Sequence, residues 1–139
     1  MDLIQEAGTF LIVFAHGSNV PEANHAMVRL AAEVSQAAGL PATCAFLELA
    51  QPDLAAAVDQ ASAAGARRVV IVPCFLTMGV HVREDLPRLV EQHRARFPGI
   101  EFVLGQSLEG HPGVARVLLD RVQEALAEQA LVSPANAKG

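Results

Sequence analysis

Residues 9–15 read Thr-Phe-Leu-Ile-Val-Phe-Ala, a run with no charge and no break. A half-exposed strand alternates apolar and polar side chains; a strand apolar at every position needs cover on both faces. Such a strand belongs inside a parallel sheet between two layers of helix. The remainder of the chain is patterned to supply those layers. Three further apolar runs, Thr43–Leu49, Arg68–Phe75 and Ile100–Gln106, each precede a segment whose apolar residues recur at spacings of three and four.

The first helix is predicted from Pro21, which suits a first helical turn, to a stop at Gly39, burying Met27, Leu30, Ala31, Val34 and Ala38. The second runs Pro52–Ala64 and buries Leu54, Val58 and Ala61. The third runs Val82–Phe97, buries Leu86, Leu89, Val90 and Phe97, and stops at Pro98-Gly99. The last, from Pro112 to Ala130, buries Val114, Val117, Leu118, Val122 and Leu126. Four βα units with right-handed crossovers predict an α/β fold: a doubly wound, four-stranded parallel sheet of order 2-1-3-4, helices on both faces, flavodoxin-like. No linker or repeat interrupts it, so residues 1–132 are expected to form one domain, with 133–139 a flexible tail.

Composition narrows the function classes. The 139 residues are 52% hydrophobic, carry a formal charge of −5, and include only 10 Lys and Arg with no Trp or Tyr. Without a basic run or stacking aromatics, nucleic acid is a poor partner. No apolar stretch approaches the roughly 20 residues that cross a bilayer. Met1–Gly8 carries Asp2 and Glu6 and does not resemble a secretory leader. Cys44 and Cys74 lack CxxC spacing and read as buried, reduced thiols of a cytoplasmic protein.

In open α/β sheets ligands bind at the carboxyl ends of the strands. There the chain places His16, Glu48 and His81. Two imidazoles and a carboxylate at one crevice suit a divalent transition metal, or a base working beside one. His16-Gly17-Ser18-Asn19 has too few glycines for a dinucleotide or phosphate loop. Ser18 lacks the G-x-S-x-G elbow of a hydrolase nucleophile. Gly79 allows a close turn before His81. Of the other histidines, His25 is expected to be solvated on the first helix and His93 to be a packed structural residue. His111 shares the functional edge but suits a helix start.

These motifs together, HGS after the first strand, FLE ending the second and P-x-F-L-x-x-G-x-H-V-x-x-D after the third, resemble the CbiX-type sirohydrochlorin chelatases. These belong with the class II chelatases that include the protoporphyrin ferrochelatases. The likeness spans about residues 9–127, and Pro73, Phe75, Leu76, Gly79, His81, Val82 and Asp85 all match the third motif. It implies a chelatase-like fold and an enzyme that inserts cobalt or iron into sirohydrochlorin, for cobalamin or sirohaem; the alternative is a non-catalytic metal or tetrapyrrole carrier. The ion (cobalt, iron or nickel) is a substrate, and no tightly bound cofactor is expected. By this resemblance His16 is the metal ligand and proton acceptor and His81 the second metal-binding histidine. Glu48 faces the substrate as a third ligand or a base. Ser18 and the loop Leu76, Thr77, Met78, Gly79, Val80 and His81 line the macrocycle. His16→Ala and His81→Ala are each expected to abolish chelation without unfolding the chain. Short members of the group pair as homodimers, so a homodimer is implied. Two departures stand out: Asn19 replaces a basic residue found in many relatives, and a histidine-rich tail is missing. Few cations serve the substrate's carboxylates beyond Arg83, since Arg67 and Arg68 belong to the opposite edge; helix amino termini are expected to help.

Overall fold

The computed structural model describes residues 7–136. The element order is β1 (Thr9–Ala15), α1 (Pro21–Ala38), β2 (Ala42–Phe46), α2 (Leu54–Ala63), β3 (Arg68–Pro73), α3 (Val80–Arg96), β4 (Glu101–Leu104) and α4 (Pro112–Asn136). The four strands form one parallel sheet in the order β2-β1-β3-β4, as the pattern predicts.

Every residue of β1 is buried, and alternate residues feed different layers. Phe10, Ile12 and Phe14 join a core with Val58 of α2 and Leu86 and Val90 of α3. Leu11, Val13 and Ala15 join a second core with Ala31 of α1. That division is why Phe10–Ala15 carries no polar side chain. The predicted stripes of α2 and α3 are buried at Leu54, Val58, Ala61, Leu86 and Val90, with Leu89 and Phe97 partly covered.

Element ends shift where local capping outweighs hydrophobic pattern. Asp53 accepts from the Ala56 amide at 2.9 Å and starts α2 two residues after Pro52. Gly79 caps α3, so the helix opens at Val80 and takes in His81, which the pattern places in a loop. The strands β2, β3 and β4 end earlier than their apolar runs, and the leftover residues form the turns at the carboxyl edge.

The chain divides into two compact units, Met1–Ser107 and Leu108–Gly139. The second unit carries a single helix, α4. Val114, Val117, Leu118, Val122 and Leu126, the predicted apolar residues, all lie on that helix. On α1 only Ala31 is fully buried. Small residues at 31 and 38 bring that helix onto the sheet, leaving Leu30 and Val34 exposed at its flank instead of buried. The backbone is helical to Asn136, so only residues 137–139 of the expected tail lie outside the described residues.

Candidate active site

His16 is the first residue past β1 and Glu48 the second past β2. Parallel pairing continues beyond both strands: the Leu47 amide donates to the Ala15 carbonyl at 2.9 Å, and the Glu48 amide to the His16 carbonyl at 3.1 Å. Gly17 permits this closeness. It holds φ +95°, and a Cβ there would stand 1.8 Å from the Glu48 carbonyl oxygen. Leu49 then turns the chain away at φ +68°, a conformation that costs an L-residue about 1 kcal/mol. Strain of this kind collects at functional turns.

The result is a pair, with His16 Nε2 lying 3.6 Å from Glu48 Oε2 and both side chains more than half exposed. At that exposure an ion pair contributes at most about 1 kcal/mol, so holding the fold together is not a sufficient reason for it. The other imidazole nitrogen, Nδ1, lies 3.1 Å from the Gly17 carbonyl oxygen. A carbonyl only accepts, so Nδ1 is the donor in this contact, and Nε2 is the ring nitrogen turned toward the carboxylate. An imidazole nitrogen and a carboxylate oxygen facing each other are a donor pair of the kind that holds a divalent cation. Two donors each about 2.1 Å from a tetrahedral ion lie about 3.4 Å apart. The observed separation is close to that value. Phe75 meets the imidazole edge-on, ring centres 6.4 Å apart at 84°, and packs on Phe14 at 6.0 Å.

His81 stands in the first turn of α3 and is exposed. It is not part of the His16–Glu48 pair, and among the described residues no group of three or more His, Cys, Asp or Glu converges as a metal cage. Large apolar side chains stand open at the same edge: Val20, Leu49, Leu76 and Val80 are each more than half exposed. Met78 is half-buried and accepts at its carbonyl from the Arg83 guanidinium at 3.2 Å. Arg67 and Arg68 sit at the far edge, Arg68 against Glu101 at 3.0 Å. The Asp85 carboxylate pairs with Arg88 at 3.2 Å.

The cysteines are free, and burial, reinforced by Cys74, pushes the Cys44 thiol up to about 11. Thiols held protonated at neutral pH are poor ligands and nucleophiles. His111 Nδ1 accepts from the Gly113 amide at 2.9 Å, which is the helix-start role. His25 is exposed on α1. His93 is buried against Phe102, its Nδ1 accepting from Arg96 at 3.1 Å. Burial first, and the Arg96 charge second, lower its pKa below the usual 6.5. The unfolded chain therefore binds this proton more readily, and stability falls as pH drops through 6.5 toward the folded value. Wild-type Tm is expected to fall between about pH 7 and about pH 5.5 by more than that of His93→Gln. Equal slopes would remove His93 from the pH response.

One residue of the site carries too weak a sequence signal to be picked out. Asn24, in the first turns of α1, clamps both sides of the Ser18 residue: Ser18 N–H donates to Asn24 Oδ1 at 3.0 Å, and Asn24 Nδ2 donates to the Ser18 carbonyl at 2.8 Å. The Ser18 hydroxyl is itself engaged, accepting from the Val20 amide at 3.0 Å. An asparagine soon after a proline-started helix is the only clue. Two net hydrogen bonds are worth about 2 kcal/mol. Asn24→Ala is expected to weaken cobalt(II) binding about tenfold, measured by calorimetry, with far-UV circular dichroism unchanged. Unaltered affinity would make the clamp purely structural.

The CbiX family model matches residues 10–125, most of the chain and both loops of the His16–Glu48 pair. The chain belongs to the CbiX family. The sirohydrochlorin cobaltochelatase of Methanopyrus kandleri is 27% identical over 140 residues, covering 86% of this chain and 98% of that protein. The Saccharolobus solfataricus enzyme of the same name is 31% identical over 120 residues, covering 82% and 93%. A solved CbiX structure from Marinobacter aquaeolei VT8 superposes with a TM-score of 0.77 at 29% identity, covering 86% of this chain and 98% of that one. The sirohydrochlorin chelatase SirB of Bacillus subtilis subspecies spizizenii, solved with cobalt, superposes at 0.72. At 22% identity that likeness speaks for the fold, and this CbiX chain spans about half of SirB.

Proposed function

We propose that this CbiX chain is a chelatase that inserts divalent cobalt or iron into sirohydrochlorin. The observation that carries the reading is Nε2 of His16 facing Glu48 Oε2 across 3.6 Å. The ion is a substrate. So few protein donors hold it loosely enough to leave positions for incoming pyrrole nitrogens, as open sites do. His16 is the ligand and proton acceptor. Glu48 either completes the ligand set or takes a pyrrole proton. His81 is the second histidine to reach the ion, from the first turn of α3.

The open apolar rim of Val20, Leu49, Leu76 and Val80 suits a flat macrocycle whose face is apolar. Ser18 and residues 76–81 border the ring. Its peripheral carboxylates are drawn to the free amides at the start of α3 and to Arg83 beside them. The chain works as a homodimer in the cytoplasm, with neither nucleic acid nor membrane as a partner. Free cysteines, an acidic net charge and, among the described residues, no helix long and apolar enough to cross a membrane support that setting.

The test is to mix the protein, at a small fraction of the substrate concentration, with sirohydrochlorin and cobalt(II). Absorbance then follows metalation against the spontaneous rate. Many equivalents of product per chain are expected. A single equivalent, bound and never released, would make the protein a carrier instead. No acceleration and no binding would defeat both.

A further inference from the structure

Phe75 stands in the motif after β3, yet a phenyl ring has no lone pair to ligate an ion and no proton to exchange. Its place follows from the strand register. Phe14 pairs with Pro73, and the Cys74 amide donates to the Phe14 carbonyl at 2.7 Å, so parallel pairing runs on past β3. Two steps beyond the Phe14–Pro73 pair, Phe75 comes level with His16. On the other side of β1, the bond from the Glu48 amide to the His16 carbonyl brings Glu48 alongside. The imidazole therefore stands between a carboxylate from the β2 side and a phenyl ring from the β3 side.

An imidazole turns easily about its outer torsion, whose wells are broad and roughly two-fold. A half turn would put Cε1 where Nε2 stands and withdraw the nitrogen from Glu48. At 55% exposure the His16 side chain is not locked by burial. Its Nδ1 partner is the carbonyl of the adjacent residue, and an exposed contact to a carboxylate holds weakly.

Phe75 supplies a wall. Its ring centre lies 6.4 Å from that of the imidazole, with the planes at 84°, within the range of edge-to-face pairs. Phe75 leans in turn on Phe14, 6.0 Å away at 59°, and Phe14 is 1% exposed. Orientation is thus passed from the packed core to the imidazole through two rings. A contact of this kind is worth a factor of about two to ten in the population of one orientation.

We infer that Phe75 is a positioning residue, holding the His16 imidazole with Nε2 turned to Glu48 before the ion arrives. Its effect on turnover rests on the chelatase reading above. The orientation of the ring does not, so it is measured without metal or tetrapyrrole.

The experiment compares Phe75→Leu, which removes the ring, with Phe75→Tyr, which keeps it. In the metal-free full chain, with histidine rings labelled with carbon-13, relaxation of the His16 ring carbons is measured. Their signals are assigned by their loss in His16→Gln. Wild type and Phe75→Tyr should show a rigid imidazole, and Phe75→Leu one that reorients within nanoseconds, as exposed side chains do. Initial rates with cobalt(II) and sirohydrochlorin form the second arm. Phe75→Leu should lower kcat about tenfold with KM within about twofold, while Phe75→Tyr stays within about threefold of wild type. A Phe75→Leu enzyme with wild-type kcat would overturn the positioning role, as would a lowered kcat with the imidazole still rigid. A rise in KM alone would make Phe75 a wall for the macrocycle and overturn it too. A wild type without turnover would end the chelatase reading, and the relaxation arm would then decide the positioning by itself.

Discussion

His16→Ala is expected to cut the rate of sirohydrochlorin metalation at least about a hundredfold, toward the spontaneous rate, while moving Tm by no more than about 2 °C. The reasoning is local. Nδ1 is turned to the Gly17 carbonyl and Nε2 to the carboxylate, so removing the imidazole deletes ligand and base together. The side chain is more than half exposed, so little packing is lost. Glu48→Gln should have a smaller effect, because an amide oxygen still donates a lone pair though it cannot take a proton at neutral pH. Initial rates with cobalt(II) for the three proteins decide it. A His16→Ala enzyme within about threefold of wild type would move the chemistry elsewhere.

Gly17→Ala is expected to damage fold and activity together. The new methyl would lie 1.8 Å from the Glu48 carbonyl oxygen, on a backbone at φ +95°. Conformational strain of about 1–2 kcal/mol adds to overpacking of about 1–3 kcal/mol, so a loss near 3 kcal/mol and a Tm drop of about 10 °C follow. The loops carrying His16 and Glu48 must part, so activity falls further than stability accounts for. Gly39→Ala is the control. Its φ is +71° but nothing lies within 4 Å, so it should show only the strain and keep full activity. If the two variants behaved alike, the close approach of the loops would carry no function.

The fold was legible because β1 leaves so few options: six apolar residues in succession after Thr9 demand two helical layers, and the βα alternation then yields the 2-1-3-4 order. Capping was harder to read, since Gly79 begins α3 at Val80 and carries His81 onto a helix. The stripe of α4 was visible in the sequence, but periodicity records only that a helix has an apolar face and not which surface covers it. Likewise, placement past parallel strands brought His16 and Glu48 to one edge. Their 3.6 Å approach depends on backbone pairing beyond the strands, and Asn24 depends on a turn that spacing does not reveal.

The account stands on a metal ion seated between His16 and Glu48. Crystals grown with cobalt(II), with anomalous differences measured at the cobalt absorption edge, locate that ion directly. The prediction is a peak about 2.0–2.2 Å from His16 Nε2, with Glu48 as its carboxylate neighbour. A peak bound by other residues while the His16 imidazole stands empty would contradict it.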